Sequence, residues 1–136
     1  CIYILRTTLR KMKDQEHREQ VALFKALKLQ ERTNPLFANV FAIPNGGHRH
    51  IKVAAKLKAE GVKAGIPDIF VAVPNSYSAG LFIEMKVKPN RPSKHQKAWL
   101  ERLEQVGYDC LVCYSWTDAY KAITDHINSA ISDLGL

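Results

Sequence analysis

Apolar positions along the chain switch between helical and extended spacing. From about Asp14 to Glu31, Leu23, Phe24 and Leu27 recur at helical intervals among charged residues, which predicts an amphipathic helix ended by Asn34 and Pro35. "FANVFAIPN" (37–45) alternates enough for a strand, stopped by Pro44 and the turn "NGG". "HIKVAAKLKAE" (50–60) reads as a basic helix or turn closed by Gly61, and "PDIFVAV" and "GLFIEMKV" read as strands of a hairpin joined through "PNSYSA". A helix follows over "PSKHQKAWLERLEQV", begun by Pro92 or Ser93 and ended by Gly107. "YDCLVCYS" supplies a last strand, and a terminal helix runs from about Trp116 to Leu134. This order predicts an α/β fold, a small mixed sheet flanked by helices. With no repeat or linker in 136 residues, 14–136 is expected to form one domain around one core. Residues 1–13 are set apart as an N-terminal extension, either foreign to the natural chain or upstream of a start at Met12.

Charge narrows the partners. Twenty Lys and Arg against 13 Asp and Glu give a net charge of +7, a surplus that favours polyanions such as nucleic acid. No apolar run approaches the roughly 18 residues of a spanning helix and no amphipathic basic helix stands out, so no membrane partner is expected. The cysteines Cys1, Cys110 and Cys113 make no even set, and a reducing, cytoplasmic setting is expected. Cys110 and Cys113, at i and i+3 of a strand, point to opposite faces and read as core rather than as a metal or redox pair. Trp99 and Trp116 likewise read as core, while His95 and His126 have no evident partner. No Walker loop, dinucleotide fingerprint, H-E-x-x-H or G-x-S-x-G motif is present.

The hairpin carries the candidate chemistry. Phe82, Glu84 and Lys86 share one face of their strand, and Leu81, Ile83, Met85 and Val87 share the other. The second face, uniformly apolar, is expected to pack on helices, leaving Glu84 and Lys86 at the edge or mouth of the sheet. A hairpin folded near Tyr77 sets Asp68 across from Lys86, one step from Glu84. Two carboxylates beside an ammonium suit a hard cation, Mg²⁺ or Mn²⁺, with the lysine placed to act on a water or a phosphate. The bland alternative is a cross-strand ion pair on an exposed hairpin, worth about 0.2–1 kcal/mol.

"PD" at 67–68 followed by "EMK" at 84–86 resembles the PD-(D/E)XK nuclease motif. "GIPD", "LFIEMKV", "RPSKHQKAWLERLEQVGY" and "CLVCYSWTDAYKAI" resemble, in order, the VRR-NUC family of virus-type replication and repair nucleases over roughly residues 16–123. The resemblance implies a restriction-endonuclease-like core, a Mg²⁺ or Mn²⁺ cofactor, and cleavage that leaves 5′-phosphate and 3′-hydroxyl ends. It also implies branched DNA as substrate, possible Holliday-junction resolution by a homodimer, and a bacterial or phage-infected cell. Asp68 and Glu84 then match metal-binding carboxylates, the main-chain carbonyl of Met85 completes the metal shell, Lys86 matches the catalytic lysine, and Gln96 faces the site.

The family also takes a glutamate from its first helix, for which Glu16 and Glu19 compete. Glu16, Gln20, Leu23 and Leu27 follow i, i+4, i+7, i+11, so Glu16 continues the core-facing stripe and is the expected ligand, direct or through water. A solvated charge run in "KDQEHREQ" is the alternative. In "PNGGHRH", His48 and His50 lack further ligands for a closed zinc site, and Asn45 and Arg49 read as phosphate contacts or as part of a mere turn. Lys52, Lys56, Lys58 and Lys63 on one side, and Lys88, Arg91, Lys94 and Lys97 on the other, would make a DNA cradle. The expected activity is a metal-dependent endodeoxyribonuclease; the alternative is a non-catalytic nucleic-acid-binding module on a nuclease fold.

Overall fold

A computed structural model describes residues 1–44 and 51–135. Its first helix, α1, spans Ile2–Glu31 and starts twelve residues ahead of the expected Asp14. Nothing between Ile2 and Glu31 stops it: the segment holds neither glycine nor proline and is rich in Leu, Lys, Arg, Gln and Glu. The early turns were illegible because residues 1–11 are all exposed, so no buried stripe marks them. Leu23 and Leu27 are the buried residues of the helix.

Beyond α1 the Asn34 side chain accepts the Leu36 N–H at 3.0 Å and caps a 3-10 helix, Pro35–Asn39. That turn takes up Phe37, Ala38 and Asn39, leaving the strand expected over 37–45 with Val40–Ala42 as β1. The elements that follow are α2 (Ile51–Ala59), β2 (Ile69–Val71), β3 (Leu81–Met85), α3 (Lys94–Gln105), β4 (Asp109–Cys113) and α4 (Trp116–Leu134). α2 buries no residue, as its lysine-rich sequence requires.

The sheet runs β1-β2-β3-β4, antiparallel through β3 and parallel between β3 and β4, with α3 as the crossover. One face presents Ile69, Val71, Leu81, Ile83 and Met85 to Leu23 and Leu27 of α1 and to Ile123 and Ile127 of α4, forming the core. Each such side chain contributes about 1.5–3 kcal/mol on burial. Across the other face runs a registered row, Phe41, Phe70 and Phe82. Phe70 stacks on Phe82 with ring centres 4.4 Å apart, and Tyr108 meets both edge-on. Two residues further along this face lie Asp68 and Glu84. β3 is therefore an inner strand, and Glu84 is not at the sheet's edge but 1 % exposed.

Two other expectations change. Trp116 packs against the core, whereas Trp99 stays outside it, half-buried between the Lys63 ammonium at 5.8 Å and the Arg102 guanidinium at 5.4 Å from its ring centre. His126 has partners: Nε2 lies 2.6 Å from the Val73 carbonyl and Nδ1 lies 3.4 Å from Asn75 Nδ2. Cys113 is buried and Cys110 half-buried; burial first, then nearby acids, raises both thiols to about 11.

Candidate active site

The β2–β3 ladder pairs Ile69 with Ile83, Phe70 with Phe82 and Val71 with Leu81. Carried one step further, this register sets Asp68 across from Glu84, not from Lys86. The hairpin folds around Ser76 rather than Tyr77 because Asn75 turns the chain early, its Oδ1 accepting the Tyr77 N–H at 2.9 Å and the Ser78 N–H at 2.8 Å.

The shift brings the two acids face to face. Asp68 Oδ2 accepts the Met85 N–H at 2.7 Å, fixing the carboxylate against β3. Glu84 Oε1 accepts from Gln96 Nε2 at 2.9 Å and lies 3.3 Å from Lys86 Nζ. Glu84 Oε2 is buried with no hydrogen-bond partner, an arrangement that costs roughly 1–3 kcal/mol or more when the group is charged. Burial, followed by the Asp68 charge, pushes the Glu84 carboxyl up to about 8, against the opposing pull of Lys86. Burial also raises Asp68, opposed by the Met85 N–H and by Lys86, while the charge of Glu16 adds to the rise.

Gln96 reaches the site because of how α3 begins. Ser93 Oγ accepts the Gln96 N–H at 3.2 Å and Gln96 Oε1 accepts the Ser93 N–H at 2.8 Å, a reciprocal capping box. With Oε1 committed to the cap, Nε2 is aimed at Glu84. The sequence signal for this geometry, Ser-x-x-Gln ahead of an apolar-periodic run, is present at 93–96.

The first-helix glutamates divide cleanly. Glu16, half-buried, is close enough for its charge to act on Asp68. Glu19 Oε2 instead accepts the Trp116 N–H at 2.7 Å and caps α4, a structural task the sequence did not reveal. Among the described residues no three His, Cys, Asp or Glu side chains form a ligand cluster, so Glu16 does not complete a three-acid set with Asp68 and Glu84. It sits on a helix across from the strands and influences Asp68 through charge.

The VRR-NUC domain family model matches residues 11–116. The chain belongs to the VRR-NUC domain family. A solved structure described as a VRR_NUC domain protein is similar to it, with 27% identity over 83% of this chain and 88% of that one and a TM-score of 0.68. No curated protein matches the chain significantly. Membership in this nuclease family, together with the four-stranded sheet flanked by helices, identifies the fold as restriction-endonuclease-like and DNA as the implied substrate.

In this VRR-NUC domain the described cations expected to meet DNA are exposed. Lys94 opens α3, Arg91 lies in the segment just before it, and Lys88 stands 5.8 Å from the Tyr114 ring centre. Lys52, Lys56 and Lys58 are exposed on α2. Asn45, His48, Arg49 and His50 lie outside the described residues. Among the described residues no helix is long and apolar enough to cross a membrane.

Proposed function

We propose that this VRR-NUC domain is a divalent-metal-dependent endodeoxyribonuclease acting on branched DNA, with Asp68, Glu84 and Lys86 at its catalytic centre. The observation that carries the reading is the side-by-side burial of two raised carboxyls, Asp68 and Glu84, with no donor reaching Glu84 Oε2. Two adjacent acids with an unsatisfied oxygen suit a hard cation such as Mg²⁺ or Mn²⁺. The Met85 N–H already faces Asp68, and an extended residue points its N–H and C=O to the same side, so the Met85 carbonyl is a third oxygen donor. Glu16 would engage through water.

When bound, the ion supplies Lewis acidity and charge neutralisation at the scissile phosphodiester. Gln96 holds the Glu84 carboxylate in one orientation, and the Met85 N–H does the same for Asp68. Lys86, 13 % exposed, balances the two acids from the solvent side and can orient the attacking water while stabilising charge that develops on the phosphate. The cations Lys52, Lys88, Arg91 and Lys94 position the strands by phosphate contact, with Asn45 and Arg49 proposed to join them. Junction resolution by a homodimer fits a small domain, since two-fold symmetry presents two centres to paired strands.

Labelled duplex, flap and four-way-junction DNA, incubated with Mg²⁺, Mn²⁺ or EDTA, tests the proposal alongside Asp68→Asn and Lys86→Ala. Cleavage should require metal and be lost by at least a hundredfold in both variants. DNA binding with no cleavage under either metal would overturn the reading in favour of a binding module.

A further inference from the structure

We propose that Arg6, Arg10 and Lys13, on the N-terminal half of α1, bind the phosphate backbone of duplex DNA flanking the cleaved position. The inference rests on the nuclease reading of the Asp68–Glu84 centre and adds a surface to it. Arg6, Arg10, Lys13 and His17 follow i, i+4, i+7, i+11, so they form one stripe along the helix. All four are exposed, and none is ion-paired with a described residue. No acid interrupts the stripe.

Its position ties it to the site. Glu19, two residues beyond His17, accepts the Trp116 N–H just past the end of β4, and β4 ends at Cys113 opposite Met85, so α1 leaves the core at the end of the sheet that holds Glu84. Seven residues beyond His17 on the same face, Phe24 packs against the core. The stripe therefore continues a face that meets the body of the domain at Phe24 and then runs clear of it. From Arg6 to His17 it covers about 16 Å, the axial extent of roughly five phosphates of one strand.

An ordinary solvated face does not account for this pattern, because charge is segregated between helices. α4 carries Asp118, Asp125 and Asp133 with Lys121 paired to Asp125 at 2.6 Å. The first 15 residues carry Arg6, Arg10, Lys11 and Lys13 against Asp14 alone. Unpaired cations of one sign on one stripe complement a polyanion.

The test is binding of a labelled duplex in EDTA, read by fluorescence anisotropy across a salt series. Arg6→Gln/Arg10→Gln/Lys13→Gln is compared with Lys11→Gln/Arg18→Gln/Lys25→Gln, which removes the same charge from other faces of α1; circular dichroism checks that both stay helical. The stripe variant should lose at least tenfold in affinity, and its log–log salt slope should fall by roughly 0.9 per lost contact, near three in all. The control should change by less than one contact. Equal losses in the two variants, wild-type-like binding by the stripe variant, or no duplex binding by the wild type would each overturn the proposal. Because the readout needs no cleavage, a failed nuclease assay with an intact binding difference would count against the catalytic reading alone.

Discussion

Gln96 joins the N-terminus of α3 to the buried carboxylate of Glu84: its Oε1 closes the capping box on Ser93 while its Nε2 donates to Glu84 Oε1 at 2.9 Å. One side chain thus serves helix stability and site geometry, and two substitutions separate the tasks. Gln96→Glu keeps a capping-box residue but sets a third acid against Glu84, whereas Gln96→Ala removes both contacts. The alanine variant should lose about 0.5–2 kcal/mol of stability. Both should lose cleavage by about 10–100-fold. Thermal melts and metal titrations of activity check this; a fully active Gln96→Glu would show that the Glu84 contact is incidental.

The centre is electrostatically strained without a cation, so neutralising it should stabilise the metal-free protein. Glu84→Gln removes the charge that burial and Asp68 oppose. Thermal melts in EDTA should show this variant more stable than wild type, by on the order of a few kcal/mol at high pH, while cleavage is abolished. A variant less stable than wild type at every pH would mean that Glu84 is already satisfied.

The sign of the pH dependence follows from the raised carboxyl. Glu84 has an ordinary value of 4.5 and is pushed up to about 8 in the fold, so between these values the folded state binds more protons than the unfolded one. Its contribution to stability is then full below 4.5 and lost as pH rises through about 8. The advantage of Glu84→Gln in EDTA should therefore grow with rising pH and level off above about 8. Divalent-ion binding competes with that proton, so the melting shift given by Mn²⁺ in the wild type should increase over the same range and release protons. A metal-induced shift that does not vary with pH would contradict the assignment of Glu84 as a ligand.

Glu16 and Glu19 should fail in different ways. Glu19→Gln weakens a charge-assisted hydrogen bond to the Trp116 N–H at the start of α4, and should cost about 1–2 kcal/mol with cleavage retained at low temperature. Glu16→Gln should leave the melting temperature within a degree or two, yet shift the metal concentration needed for half-maximal cleavage. The reverse pattern would move the functional role to Glu19.

Much of this was legible because it is written in local pattern. The terminal helix expected from about Trp116 to Leu134 is α4, and the apolar face of β3 follows from strict alternation at Leu81, Ile83 and Met85. Asp68, Glu84, Lys86 and Gln96 come together in the fold, with Glu16 near enough to act on Asp68 through its charge. What periodicity does not encode is register, which Asn75 sets through its own side chain and which moved Asp68 from Lys86 to Glu84. Nor does it encode the depth of Glu84, which depends on β3 lying between β2 and β4, a matter of topology. The task of Glu19 depends on a partner 97 residues away, and the early turns of α1 bury nothing that a pattern would record.

Gly65 offers a test of how tightly the Asp68 segment is coupled to α3. Its φ of +88° is a conformation that L side chains rarely adopt, and an added Cβ would stand 3.0 Å from the His95 carbonyl carbon and 3.1 Å from its oxygen. Gly65 precedes Asp68 by three residues and His95 precedes Gln96 by one, so any shift that relieves the contact must move the loop of one site residue against the helix of another. Gly61 is the matched control: its φ is +101°, but nothing lies within 4 Å of an added Cβ. Both alanine variants should be destabilised by backbone strain of roughly 1–3 kcal/mol. Only Gly65→Ala should also lose cleavage, measured well below its melting temperature, and require more metal for half-maximal rate. If the two variants lose stability and cleavage in equal proportion, the close approach of Gly65 to α3 has no part in holding Asp68 and Gln96 in their mutual geometry.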